Sequence, residues 1–153
     1  MTQTLFYLLP TPSTPEVMDL NPVYHLACEL AQHYFIKQQS VYIHCENKEQ
    51  AYAIDELLWL FPPSAFVPHN LKGEGPATGA PVEIGMDPFG PNKKRHQLIN
   101  LADQVPSFAV NFGQIVDFVA NDKAQARLRY HQYRTLGIAL ATQDLATQPL
   151  NLV

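Results

Sequence analysis

Residues 40–60 read SVYIHCENKEQAYAIDELLWL. The first six, SVYIHC, are rich in β-branched and aromatic side chains, which suit a pleated and buried strand. Asn47 then offers a short polar side chain of the kind that caps a helix N-terminus. Beyond it, Ala51, Ile54 and Leu58 recur at helical spacing and share one face. A strand running directly into an amphipathic helix is half of a βαβ unit, and repetition of that unit predicts a parallel sheet. Trp59 falls about 100° around the helix from Leu58. It lies over Tyr52, Asp55 and Glu56, off the apolar stripe.

The flanking sequence repeats the alternation. TLFYLL at 4–9 is a short apolar run ended by Pro10, expected to be a buried first strand. TPSTPEVMDLNP reads as a turn-rich connection. PVYHLACELAQHYFI at 22–36 places Val23, Leu26, Ala27, Leu30, Ala31 and Tyr34 on one helical face, with Asn21 as the cap and Pro22 at the first position. Downstream, residues 62–92 hold seven of the thirteen prolines and five of the seven glycines. That stretch is expected to be mostly irregular, with VEIG at 82–85 as a short strand. So long a run of sparse secondary structure is often functional. HQLINLA at 96–102 and QIVDFVA at 114–120 read as strands, with VPSFAVNF between them as a helical turn or short helix. DKAQARLRYHQYRTLG at 122–137 reads as a helix capped by Asp122 and ended at Gly137. The tail after 142 carries little pattern and is expected to fray. The whole, 1–153, reads as a single α/β domain.

Composition narrows the function. The chain is 46% hydrophobic and 16% charged, which is globular. Two cysteines, Cys28 and Cys45, are too few for a disulfide scaffold and suit reduced thiols in the cytoplasm. MTQTLFYLLP has no basic region of a signal peptide, and no apolar run approaches the roughly 18–20 residues of a membrane span. The net charge of −4 is uneven. Residues 1–92 carry three lysines against ten acidic residues, net −7; residues 93–153 carry seven Lys or Arg against four aspartates, net +3. The acidic total argues against direct nucleic-acid binding, and the basic end permits an acidic partner.

Motifs for chemistry are missing from the sequence. KGEGPATGAP at 72–81 lacks the G-x-x-x-x-G-K-[ST] pattern, and Pro76 and Pro81 each remove an N–H that a phosphate cradle needs. LPTPSTPE follows the first strand where a dinucleotide fold would carry G-x-G-x-x-G. His44 and Cys45 are neighbours on a strand and point to opposite faces. His25 has Cys28 and Glu29 one turn away, and two ligands do not make a metal site. Asp55-Glu56 reads as solvated surface, and His69 as a residue that organises its loop. No catalytic residue, metal ligand or cofactor is assigned; an α/β nucleotide-binding protein or enzyme of unknown substrate stays as the alternative.

Two stretches read as surfaces for partners. Trp59 followed by FPPSAFVP puts rigid rings where the backbone turns. Such rings either cap the core or form an interface anchor, and proline would hold the latter ready-ordered. On the last helix, Arg127, Tyr130, His131 and Arg134 stand at i, i+3, i+4 and i+7, with Lys123 one turn before. That face is either simply solvated or a cationic clamp for a carboxylate-rich peptide, with Tyr130 and Val119 adding apolar contact.

A resemblance then joins these stretches. FYLL at 6–9, ACEL at 27–30, EQAYAIDELLW at 49–59, FVPHNLKGEGPATGAPVEI at 66–84, QIVDFV at 114–119 and the helix ARLRYHQYRTLG are similar, in the same order, to the chi subunit of bacterial DNA polymerase III. The resemblance implies a Rossmann-like, mainly parallel sheet flanked by helices, without a nucleotide-binding loop. It implies a non-catalytic accessory subunit of the clamp-loader assembly, cytoplasmic and associated with the nucleoid through the replisome. It implies two partners: the psi subunit and the acidic, phenylalanine-ended C-terminal tail of single-stranded DNA-binding protein. Carried over by motif, Trp59, Phe66, Val67 and Pro68 fall where the family meets psi. Val119, Lys123, Arg127, Tyr130, His131 and Arg134 fall where it receives the tail; His131 stands where family members often have lysine.

Overall fold

Strand side chains alternate between the two faces of a sheet, so an apolar strand buried on both faces needs cover on each. The computed structural model describes residues 2–10, 21–61, 63–72, 74, 80–86, 90–91 and 93–151. Its strands are β1 (Gln3–Leu8), β2 (Val41–Cys45), β3 (His69–Leu71), β4 (Val82–Met86), β5 (Gln97–Asn100), β6 (Gln114–Val119) and β7 (Ala139–Asp144). They form one sheet in the order β3-β4-β2-β5-β6-β1-β7. Every pairing is parallel, so the expected mainly parallel sheet is wholly so among the described residues. The helices are α1 (Pro22–Ile36), α2 (Lys48–Trp59) and α3 (Lys123–Thr135).

Alternation sorts the core into two layers. Tyr7, Val41, Ile43, Ile99, Val116 and Phe118 face one side, covered by α1 through Leu26 and Leu30 and by α2 through Ala51, Ile54 and Leu58. Each fully buried Leu or Ile there contributes roughly 1.5–3 kcal/mol. Phe6, Tyr42, Leu98 and Ile115 face the other side, covered by Tyr133 of α3 and by Ala109 and Phe112 around a short 3₁₀ turn. So α2 and α3 lie on opposite faces of the sheet.

The helix ends follow local chemistry. Asn21 Oδ1 accepts from the Tyr24 N–H at 3.1 Å, and Pro22 opens α1. Asn47 Oδ1 accepts from the Gln50 N–H at 2.9 Å, while Gln50 Oε1 reaches back to the Glu46 N–H at 2.7 Å. α3 ends as read: Gly137 has φ of 76°, and the Gly137 and Ile138 N–H groups donate to Arg134 and Tyr133 carbonyls. That pairing is a Schellman closure, which favours glycine at the left-handed position. Its start differs from expectation. Asp122 precedes α3 but its side chain accepts no capping bond; it faces Arg129 Nη1 at 4.0 Å.

Two strands were not expected. β3 is three residues long, too short to show a period. β7 (Ala139–Asp144) runs two residues into the tail expected to fray after 142, and its parallel pairing with β1 across six residues holds it. The connection at 11–20 and loop residues 73 and 75–79 lie outside the described residues.

Candidate functional site

α2 ends at Trp59, one residue past the buried Leu58, and the chain then turns away from the core. Trp59 is 60% exposed and Phe66 37% exposed. Their ring centroids stand 5.3 Å apart at 37°. His69, on β3, lies beneath both, 5.0 Å from the Trp59 ring and 5.9 Å from Phe66. Its Nδ1 donates to the Val67 carbonyl at 2.7 Å, and its Nε2 faces Asp55 Oδ1 of α2 at 3.2 Å. His69 thus organises its loop, as read, and also ties that loop to α2. Gln32 of α1 donates to the Ala65 carbonyl at 3.1 Å and fixes the turn before Phe66. The rings are held in place and still face solvent, the arrangement of an interface anchor. Pro68 is half-buried at the rim. Val67 corrects the expectation: it is fully buried in the core layer and offers no surface to a partner. Leu60, 73% exposed at the same helix end, was not anticipated. Its signal was its place, directly after the last core residue and its off-stripe neighbour.

On the opposite face, Lys123, Arg127, His131 and Arg134 of α3 are all exposed, and Tyr130 partly so. The Tyr130 ring packs on Phe6 of β1 at 5.7 Å. Val119, at the end of β6, is half-buried against the same cluster as Phe6. Among the described residues no carboxylate pairs with Arg127 or Arg134. The result is an apolar strip of Val119 and Tyr130 bordered by guanidinium and ammonium groups. Such groups take carboxylates, Arg in bidentate fashion. Phe6 is the component that reading α3 alone missed.

Arg129, two residues from Arg127, behaves differently. It is buried, and its Nε donates to both oxygens of Asp117 on β6, at 3.1 and 3.2 Å. Asp117 also accepts from the Tyr133 hydroxyl at 2.7 Å, Asn100 Nδ2 at 3.1 Å and the Phe118 N–H at 2.6 Å. Burial raises the Asp117 carboxyl above its usual range, and these donors, led by Arg129, oppose that rise. Burial and the Asp117 charge push the Tyr133 hydroxyl far up, which keeps it a donor. Above this network, at the carboxyl ends of β5 and β6, the crevice among the described residues holds about 70 Å³. That is room for a water or two, whereas open α/β sheets bind nucleotides at such ends in far larger clefts. No group of three or more His, Cys, Asp or Glu among the described residues is placed to hold a metal ion. No described helix is long and apolar enough to cross a membrane.

Comparison with known proteins adds to this geometry. The family described as DNA polymerase III chi subunit, HolC, matches residues 1–141. The chain belongs to the DNA polymerase III chi-subunit family. It is 43% identical to DNA polymerase III subunit chi of Escherichia coli over 145 residues, covering 93% of this chain and 97% of that one. It is 42% identical to the Haemophilus influenzae chi subunit, covering 80% of this chain and 88% of its relative. The Pseudomonas aeruginosa chi subunit is 33% identical, over 95% and 98% of the two chains. Among solved structures, T4 UvsW superposes with a TM-score of 0.60 at 11% identity, over 99% of this chain and 42% of that one, a likeness of fold alone. In this chi-family chain both surfaces therefore sit on one α/β scaffold.

Proposed function

We propose that this chain is an accessory, non-catalytic subunit of DNA polymerase III that links the clamp loader to protein-coated single-stranded DNA. Trp59, Phe66 and Pro68 bind the psi subunit. Val119, Lys123, Arg127, Tyr130, His131 and Arg134 receive the acidic C-terminal tail of single-stranded DNA-binding protein. Membership of the chi family supports the place in the polymerase complex. One observation carries the two-partner reading: an exposed ring pair and an exposed cationic strip lie on opposite faces of one sheet. A tail ending in aspartates and a phenylalanine carboxylate would set its ring on Tyr130 and Val119 and its charges on the arginines. The contact would be modest and salt-sensitive, and many tails on one coated strand would add avidity. On this reading the chain works in the cytoplasm, at the nucleoid, as one folded unit that needs no cofactor and does not grip DNA itself.

Pull-down tests both halves. The tail peptide should retain the chain, and the peptide lacking its terminal Phe should not. Trp59→Ala should lose psi in co-purification and keep the tail. Equal retention by both peptides would remove the tail site, and joint loss of both partners would mean that the variant is misfolded.

A further inference from the structure

We propose that the groove between residues 90–91 and 93–96 on one side and 108–114 on the other is a second anion site, which docks an extended acidic peptide with carboxylates on both sides of an apolar side chain. Two adjoining cavities make the groove, about 650 and 610 Å³, and they share Lys94, Arg95, Val110, Asn111 and Phe112. It opens at the N-terminal ends of β1, β5 and β6, where Thr2, Gln97 and Gln114 line it. No residue of α3 and none of the ring pair lines either cavity, so the site is separate from both surfaces above.

Among the described residues its charged lining is cationic. Lys93, Lys94 and Arg95 contribute, with the His96 ring beside them, and no described Asp or Glu does. Arg95 is structural: it is buried, donates to the Ala80 and Pro81 carbonyls at 2.8 and 2.9 Å, and faces Glu83 at 3.9 Å. Lys93 and Lys94 are exposed and free to meet carboxylates, in the part of the chain where basic residues outnumber acidic ones. Val110, 46% exposed, gives an apolar seat, and the exposed amides of Asn111 and Gln114 suit a peptide backbone. The lining does not suit a nucleic acid. Phe108 is already edge-to-face with Tyr42 and His44, and Phe112 is buried, so no aromatic face among the described lining residues is offered to a base.

The test uses the isotope-labelled full chain and a peptide of four aspartates around one leucine. Both peptide ends are blocked, so that it lacks the terminal carboxylate that Arg127 would take. Titration should move the amides of residues 93–97 and 110–114. Lys93→Glu with Lys94→Glu should weaken binding by about tenfold or more, and Arg127→Ala should leave it unchanged. Amide shifts confined to α3, no binding, or an unaltered affinity in the double variant would each overturn the proposal. Oligothymidylate of equal charge binding as tightly would overturn the peptide assignment. Because Arg127→Ala is the reference, failure here and failure of the tail site read out separately.

Discussion

Arg129→Ala removes the one cation among the described residues that faces the buried Asp117 carboxylate. Three donors stay behind, from Tyr133, Asn100 and the Phe118 N–H, but none carries charge. Breaking a buried pair from one side costs about 3–5 kcal/mol, because the remaining charge is uncompensated. Against a total of about 5–15 kcal/mol, that is a large fraction. With a urea slope near 2 kcal/mol/M, the unfolding midpoint should fall by about 1.5–2.5 M. The pH dependence adds a second signature. Burial already raises the Asp117 carboxyl, Arg129 is the strongest force opposing the rise, and its loss lifts the group further. A folded-state value above the unfolded one means that the folded chain holds the proton more tightly, so stability from this group is gained on acidification and lost as pH rises. The penalty of Arg129→Ala should therefore shrink as the pH is lowered from 7 toward the carboxylate range. Urea titrations of both proteins at several pH values measure this. A cost below about 1 kcal/mol at neutral pH, or a penalty that grows on acidification, would refute the assignment of Arg129 as the counter-charge.

Arg127→Ala, two residues away and exposed, should leave stability within about 0.5 kcal/mol of the parent. It should weaken tail binding by about 1.5–3 kcal/mol, the scale of a charged hydrogen bond, read by fluorescence anisotropy with a labelled tail peptide. Cys28 and Cys45 are both buried, and burial pushes each thiol up to about 12, with Glu29 adding to the first and Cys28 to the second. Both should stay inert to a thiol reagent until the chain unfolds. Their contribution to stability should hold below about pH 8.5 and decline from there toward 12, since only the unfolded chain gives up those protons in that window; alkaline denaturation compared with a Cys28→Ala, Cys45→Ala variant measures it.

The helices and central strands were legible because their apolar residues recur at periods that local sequence displays. Val41–Cys45, Gln114–Val119 and both Asn caps lie close to where the pattern put them. β7 was not, since ALATQD is small and polar and its order comes from backbone bonds to β1. Val67 was read as surface because its neighbours Phe66 and Pro68 are, and only the turn of the chain buries it. Arg129 looked like one more charge on a basic helix. Two hints were present: it shares the helical phase of Ala126 and Tyr133, and Asp117 interrupts the apolar run QIVDFV. Their meeting needs the short β6–α3 turn to fold the helix back onto the strand, which the periodicity of neither element shows.

The sheet between α2 and α3 bears on how two simultaneous loads would behave. Neither patch shares a side chain with the other, and a wholly hydrogen-bonded slab of parallel strands separates them. Structural cooperativity works through a shared element with two arrangements, and the described residues show no side chain common to both patches. On the proposed two-partner reading, occupying one should leave the affinity of the other untouched, and the chain would then be a passive coupler that carries tension without sensing it.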